Sequence, residues 1–74
     1  MMTLDQLHKG DTATILQIDA DKALKSRLNA FGMVKGASIS VGAFSLAKST
    51  MEVVINHSKI ALRTSEAGKI QVSQ

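Results

Sequence analysis

Apolar positions alternate with polar ones at a spacing of two along most of this chain, and switch once to the spacing of a helix. The first alternating run is Thr12 to Ile18, with apolar groups on both faces near its end, so either Leu16 or Ile18 is expected to pack beneath the helix. Leu24, Leu28 and Phe31 then recur at i, i+4 and i+7, which predicts one buried helical face. Ala20 and Ala23 extend that face, and Lys22, Lys25, Ser26 and Asn29 take the wet side. Four more alternating runs come after it. Ala37, Ile39, Val41 and Ala43 mark a strand over 37–44, and Met51, Val53 and Ile55 mark the next. Ile60 and Leu62 point inward from a strand over 59–63, and Ile70 and Val72 complete a fifth.

The punctuation agrees with this order. Asp19 or Asp21 is placed to accept bonds from the first free helical N–H groups. Gly32 follows Phe31 as a left-handed helix stop, and Met33 holds the position where an apolar residue folds back over the last turn. Gly36 makes a second turn into the strands, and Gly42 marks a bulge or sharp bend. Residues 45–49 form a five-residue hairpin loop, and Asn56-His57 is a tight-turn candidate. Thr64 is expected to cap a single helical turn, with Glu66 near its positive end and Gly68 ending it. Leu4 and Leu7 pin a lead-in, and Lys9-Gly10-Asp11 is a turn. The expectation is a mostly β, small barrel of about five strands, with one short α-helix after the first strand and a single helical turn before the last. It occupies 1–74 as a single domain.

Composition narrows what such a barrel does. The chain has 74 residues and no Cys, which excludes disulfides and thiolate metal sites. No run of about 20 apolar residues is present, and residues 1–7 lack the basic start and apolar core of a signal peptide, so a cytoplasmic location is expected without membrane insertion. Net charge is +3 but unevenly placed: Asp5, Asp11, Asp19 and Asp21 face only Lys9 in residues 1–21, whereas Lys and Arg dominate residues 22–74. The basic residues are dispersed, as on a solvated surface. Phe31 and Phe44 are the only aromatics, which weighs against stacking platforms for single-stranded nucleic acid and against grooves for proline-rich peptides.

Candidate chemistry is sparse. His8 and His57 lack the spacing of a helical or compact metal motif; His57 reads as a turn residue and His8 as a surface residue. No strained nucleophile turn is present, so no catalytic residue, cofactor site or metal site is assigned and the chain is not expected to be an enzyme. Two apolar residues are hard to bury on pattern alone. Met33 either makes the cap contact or joins a partner-facing patch, and Leu46, mid-loop, either folds over a barrel edge or widens that patch.

Three segments together resemble the FeoA family of bacterial ferrous iron transport proteins: the leader from Leu4 to Gly10, the stretch Arg27-Leu28-Asn29-Ala30-Phe31-Gly32-Met33-Val34-Lys35-Gly36, and the tail from Ala61 through Glu66-Ala67 to Val72. The resemblance covers nearly the whole chain in the right order. Phe31 stands where the family usually has Leu, the loop over 45–49 lacks the usual Pro, Gly and Asp, and Asn56-His57 replaces a turn often containing Gly.

The resemblance implies an SH3-like barrel that assists or regulates Fe(II) uptake by binding FeoB, a membrane permease with a cytoplasmic GTP-binding domain. On that reading Leu28, Phe31, Gly32 and Met33 shape a partner-facing helix–barrel junction, Leu46 widens it, and Arg63 supplies a polar anchor or a structural bond. An exposed junction also allows weak homo-oligomers. The alternative is a small basic nucleic-acid-binding barrel, recognisable by salt-sensitive affinity. A third reading is direct Fe(II) binding by His8 or His57 with carboxylates.

Overall fold

A computed structural model describes residues 2–74. Its elements run β1 (Met2–Thr3), a 3-10 turn (Leu4–Gln6), β2 (Thr12–Ile18), α1 (Lys22–Ala30), β3 (Ser38–Phe44), β4 (Thr50–Ile55), β5 (Ser58–Arg63), α2 (Thr64–Ala67) and β6 (Ile70–Ser73). The strands form one antiparallel sheet in the order β1-β6-β2-β3-β4-β5. The five expected strands are present, and a sixth is added. β1 pairs with β6, Met2 opposite Val72 and Thr3 opposite Gln71. Two residues are too short to show an alternation, so this strand has no pattern of its own in the sequence.

Two register shifts curl the sheet. One falls between Val41 and Ala43, at Gly42, where a Cβ would sit 2.9 Å from Glu52 Oε1; the missing side chain lets β4 cross closely. The other falls between Ile15 and Gln17, at Leu16. The extra residue turns Leu16 outward, half-exposed, while Ile15 and Ile18 stay buried. Of the two residues left open beneath the helix, Ile18 is therefore the buried one. The core gathers the inward positions of β2 to β6, including Ile39, Val41, Met51, Val53, Ile55, Leu62, Ile70 and Val72, with Leu4 and Leu7 pinning the lead-in as expected.

The helix ends explain where its face points. Asp21, not Asp19, caps α1, its Oδ1 accepting from Leu24 N at 2.8 Å. At the other end Met33 N donates to Leu28 O at 3.1 Å and Gly32 N to Asn29 O at 2.9 Å, the paired bonds of a Schellman stop. Gly32 has φ +93, so a residue without Cβ is needed there. Met33 folds back and is fully buried, as is Leu28.

At the second helical turn one detail differs from expectation. Thr64 is the first residue of α2 and does not cap it; its hydroxyl donates to Ser49 O at 3.3 Å. Glu66 instead reaches back, its Oε1 accepting from Arg63 N at 3.1 Å. The β4–β5 turn places Asn56 at φ 50 and His57 at φ 68, the two positive values a type I′ hairpin requires. In the β3–β4 loop, Ser45 Oγ accepts from Ser49 N and Thr50 N, organising a turn that has no Pro, Gly or Asp.

Candidate functional site

The residues singled out in the sequence separate into three places. Leu28 and Met33 have no exposed surface, so neither forms part of a docking face in this conformation. The physical reason is the Schellman stop, which drives the residue after Gly32 onto the residue that accepts its N–H. Phe31, expected inside with Leu24 and Leu28, is 47% exposed. Its N–H bonds to Leu28 O at 3.0 Å, three residues back, so the last turn is tightened and rotates Phe31 off the buried face. Leu46 lies wholly in solvent at the tip of the β3–β4 loop and folds over no edge.

Phe31 and Arg63 do meet at one site. Between the last turns of α1 and strand β5 lies an open groove of about 490 Å³, lined by Arg27, Phe31, Lys59, Ala61, Arg63 and Glu66, with the edges of Ile60 and Leu62 at its floor. That volume is within the range of about 300–1,000 Å³ common to ligand sites. At one end Arg27 Nη2 meets Glu66 Oε2 at 2.6 Å, tying α1 to α2. Just past the C-terminal end of α1, a Cβ on Gly32 would lie 2.6 Å from Asn56 Nδ2, so helix stop and hairpin turn touch there. Glu66 is held below the ordinary carboxylate pKa, first by the Arg63 N–H it accepts and then by the Arg27 guanidinium.

Sequence reasoning missed Arg27, Lys59, Ala61 and Glu66 as parts of this site. Lys59, Ala61 and Arg63 were legible, since alternation puts them on one face of a strand. The Arg27–Glu66 pair was not: 39 positions separate its partners. His8 and His57 remain apart from the groove. His8, almost fully exposed, faces Asp11 at 3.7 Å, and His57 is a turn residue. Among the described residues no three His, Cys, Asp or Glu groups converge as a metal site would require.

A curled antiparallel sheet with a capped helix after its second strand defines a small SH3-like fold. The chain belongs to the FeoA family: residues 2–74 match the FeoA domain. A Campylobacter jejuni protein with the provisional name Fe(2+) transport protein A is 38% identical over 72 residues, 97% of each chain. A Helicobacter pylori relative of the same provisional name is 37% identical over 67 residues, 89% of this chain and 86% of that one. Among solved structures, FeoA of Chlorobium tepidum superposes with a TM-score of 0.92 at 34% identity, over 96% of this chain and 68% of that one. FeoA of Stenotrophomonas maltophilia, solved with zinc and described as a prokaryotic SH3-domain protein, gives 0.86 at 28% identity, over 99% and 91%. The same fold recurs within a manganese-dependent transcriptional repressor, TM-score 0.87 over 97% of this chain and 35% of that one, at 24% identity. The family is one of ferrous iron transport accessories and is not a known enzyme family. No helix among the described residues is long and apolar enough to cross a membrane.

Proposed function

We propose that this chain is a cytoplasmic accessory protein of Fe(II) uptake that acts by binding the cytoplasmic portion of the permease FeoB. The observation that carries this reading is the match to the FeoA domain along residues 2–74, on a barrel whose groove holds an exposed aromatic and no metal-ligating cluster among the described residues. A regulator that works through contact needs an accessible anchor, and Phe31 beside Arg63 is such a pair: large aromatic and arginine side chains are the usual centres of protein interfaces. Gly32 holds Phe31 at the rim through the helix stop. Leu28 and Met33 support that rim from beneath. Leu46 offers a second apolar contact on a separate loop.

The nucleic-acid alternative loses further ground. Phe44 is only partly exposed and packs against the core, leaving Phe31 as the exposed aromatic, whereas stacking platforms use several.

The test is capture of the cytoplasmic portion of FeoB on immobilised protein. Wild type is expected to retain it, and Phe31→Glu, in a variant whose circular dichroism is unchanged, to lose it. Absence of capture by wild type rejects the partner; undiminished capture by Phe31→Glu rejects the groove.

A further inference from the structure

The groove is bounded on one side by the last strand of the sheet, and that strand has an unpaired edge among the described residues. A two-residue hairpin makes Ile55 and Ser58 a hydrogen-bonded pair, so Ser58, Ile60 and Leu62 turn their backbone groups toward β4. Lys59 and Ala61 then direct theirs outward, into the groove. The Arg63 N–H is already engaged by Glu66, which marks where the free ladder stops.

The balance of charge beside this edge is positive, with Arg27, Lys59 and Arg63 against Glu66, whose carboxylate also lies in the field of Arg63. Arg27 is neutralised by Glu66, but Lys59 and Arg63 have no carboxylate within 4.0 Å among the described residues. Glu52 lies opposite Ala61 on β4, yet its carboxylate sits over Gly42 on the far side, against β3. Natural edge strands are commonly protected by lysine, and β5 carries Lys59. Protection alone, however, does not call for a groove walled by an exposed phenylalanine. An edge, an apolar wall and two unpaired cations on the exposed side chains of the same strand fit one kind of occupant.

Resting on the reading of this protein as a contact regulator, we propose that the groove takes an extended acidic peptide segment of the partner, added as a short strand to β5. Its backbone pairs with Lys59 and Ala61, an apolar side chain rests between Phe31 and the edges of Ile60 and Leu62, and its flanking carboxylates meet Lys59 and Arg63.

Amide chemical-shift titration of the folded protein tests this with three synthetic eight-residue peptides. One alternates Glu with Val, one alternates Lys with Val, and the third is the Glu peptide N-methylated at alternate residues on its pairing edge. The Glu peptide is expected to move the amides of Lys59, Ala61 and Phe31, with affinity falling as salt rises. Lys59→Glu together with Arg63→Glu is expected to weaken it about tenfold. Equal binding by the Lys peptide, or by the N-methylated peptide, overturns the proposal, as do shifts confined to another face. Concentration-dependent shifts of β5 without peptide assign the edge to a second copy of this chain and overturn it also. The FeoB capture experiment is separate: capture without peptide binding rejects strand addition and leaves the partner standing, whereas peptide binding without capture does the reverse.

Discussion

At position 33 a methionine with no exposed surface closes the helix over Leu28. Met33→Ala is expected to cost about 2–5 kcal/mol, because a long side chain is removed from a packed site that only partly collapses. Chemical denaturation measures it. Phe31 is the contrasting case two residues earlier. Half-exposed, it contributes little to the fold, so Phe31→Ala is expected to change stability by about 1 kcal/mol or less while weakening FeoB capture about tenfold or more. Only Phe31 departs from the role that spacing assigns it; Met33 makes the cap contact that its place after Gly32 allows. Position 31 completes an i, i+4, i+7 series only if the helix keeps its pitch, and the pitch tightens at the stop. The glycine that forces the stop was legible; the rotation it imposes on its neighbour was not, because periodicity assumes a regular helix. Glu66 adds a pH dependence. Its folded pKa is lowered, so its contribution to stability is complete above the unfolded value and is lost as pH falls through the lower folded value. The partners are partly exposed, so the effect is below about 1 kcal/mol. Glu66→Gln is expected to flatten that part of the acid limb in urea midpoints measured between neutral and acidic pH.

Among the elements, the β4–β5 hairpin and the end of α1 depend on each other. Gly32→Ala places a Cβ on Asn56 at a backbone angle that alanine rarely adopts, and is expected to cost more than about 1 kcal/mol by thermal unfolding. His57 accepts positive φ without being glycine. His57→Gly is therefore expected to stabilise the hairpin by up to about 1 kcal/mol, a rise in Tm of up to roughly 4–8 °C for a domain of this size. Elements with a clear period were readable in the chain to within a residue or two: Thr12–Ile18 coincides with β2, and α1 ends just before Phe31. β1 was unreadable because pairing with β6, not its own two residues, makes it a strand. Leu16 read ambiguously because its exposure comes from a bulge in the pairing with β6, which alternation within β2 does not reveal.

The whole molecule keeps its chemistry at its surface. No polar or charged residue is buried among those described, so the core has no titratable group to expose on unfolding. The candidate site is instead assembled from elements far apart in the chain, which is why half of it escaped a reading by motif. Lys59 and Arg63 share a strand face, but the wall opposite them comes from α1, and the clasp between Arg27 and Glu66 exists only once the barrel has curled. The barrel also brings its two ends side by side, since Met2 pairs with Val72. Those contacts span nearly the full chain and are among the last a folding chain gains by local search. Joining the ends with a few flexible residues, and opening the chain instead within the exposed loop over 45–49, makes the same contacts local. Such a circular permutant makes the β3–β4 pairing the long-range one in exchange, and is expected to keep the groove intact while shifting which pairing forms last, measured by stopped-flow refolding, so the adjacent ends offer a point at which the order of folding can be altered independently of binding.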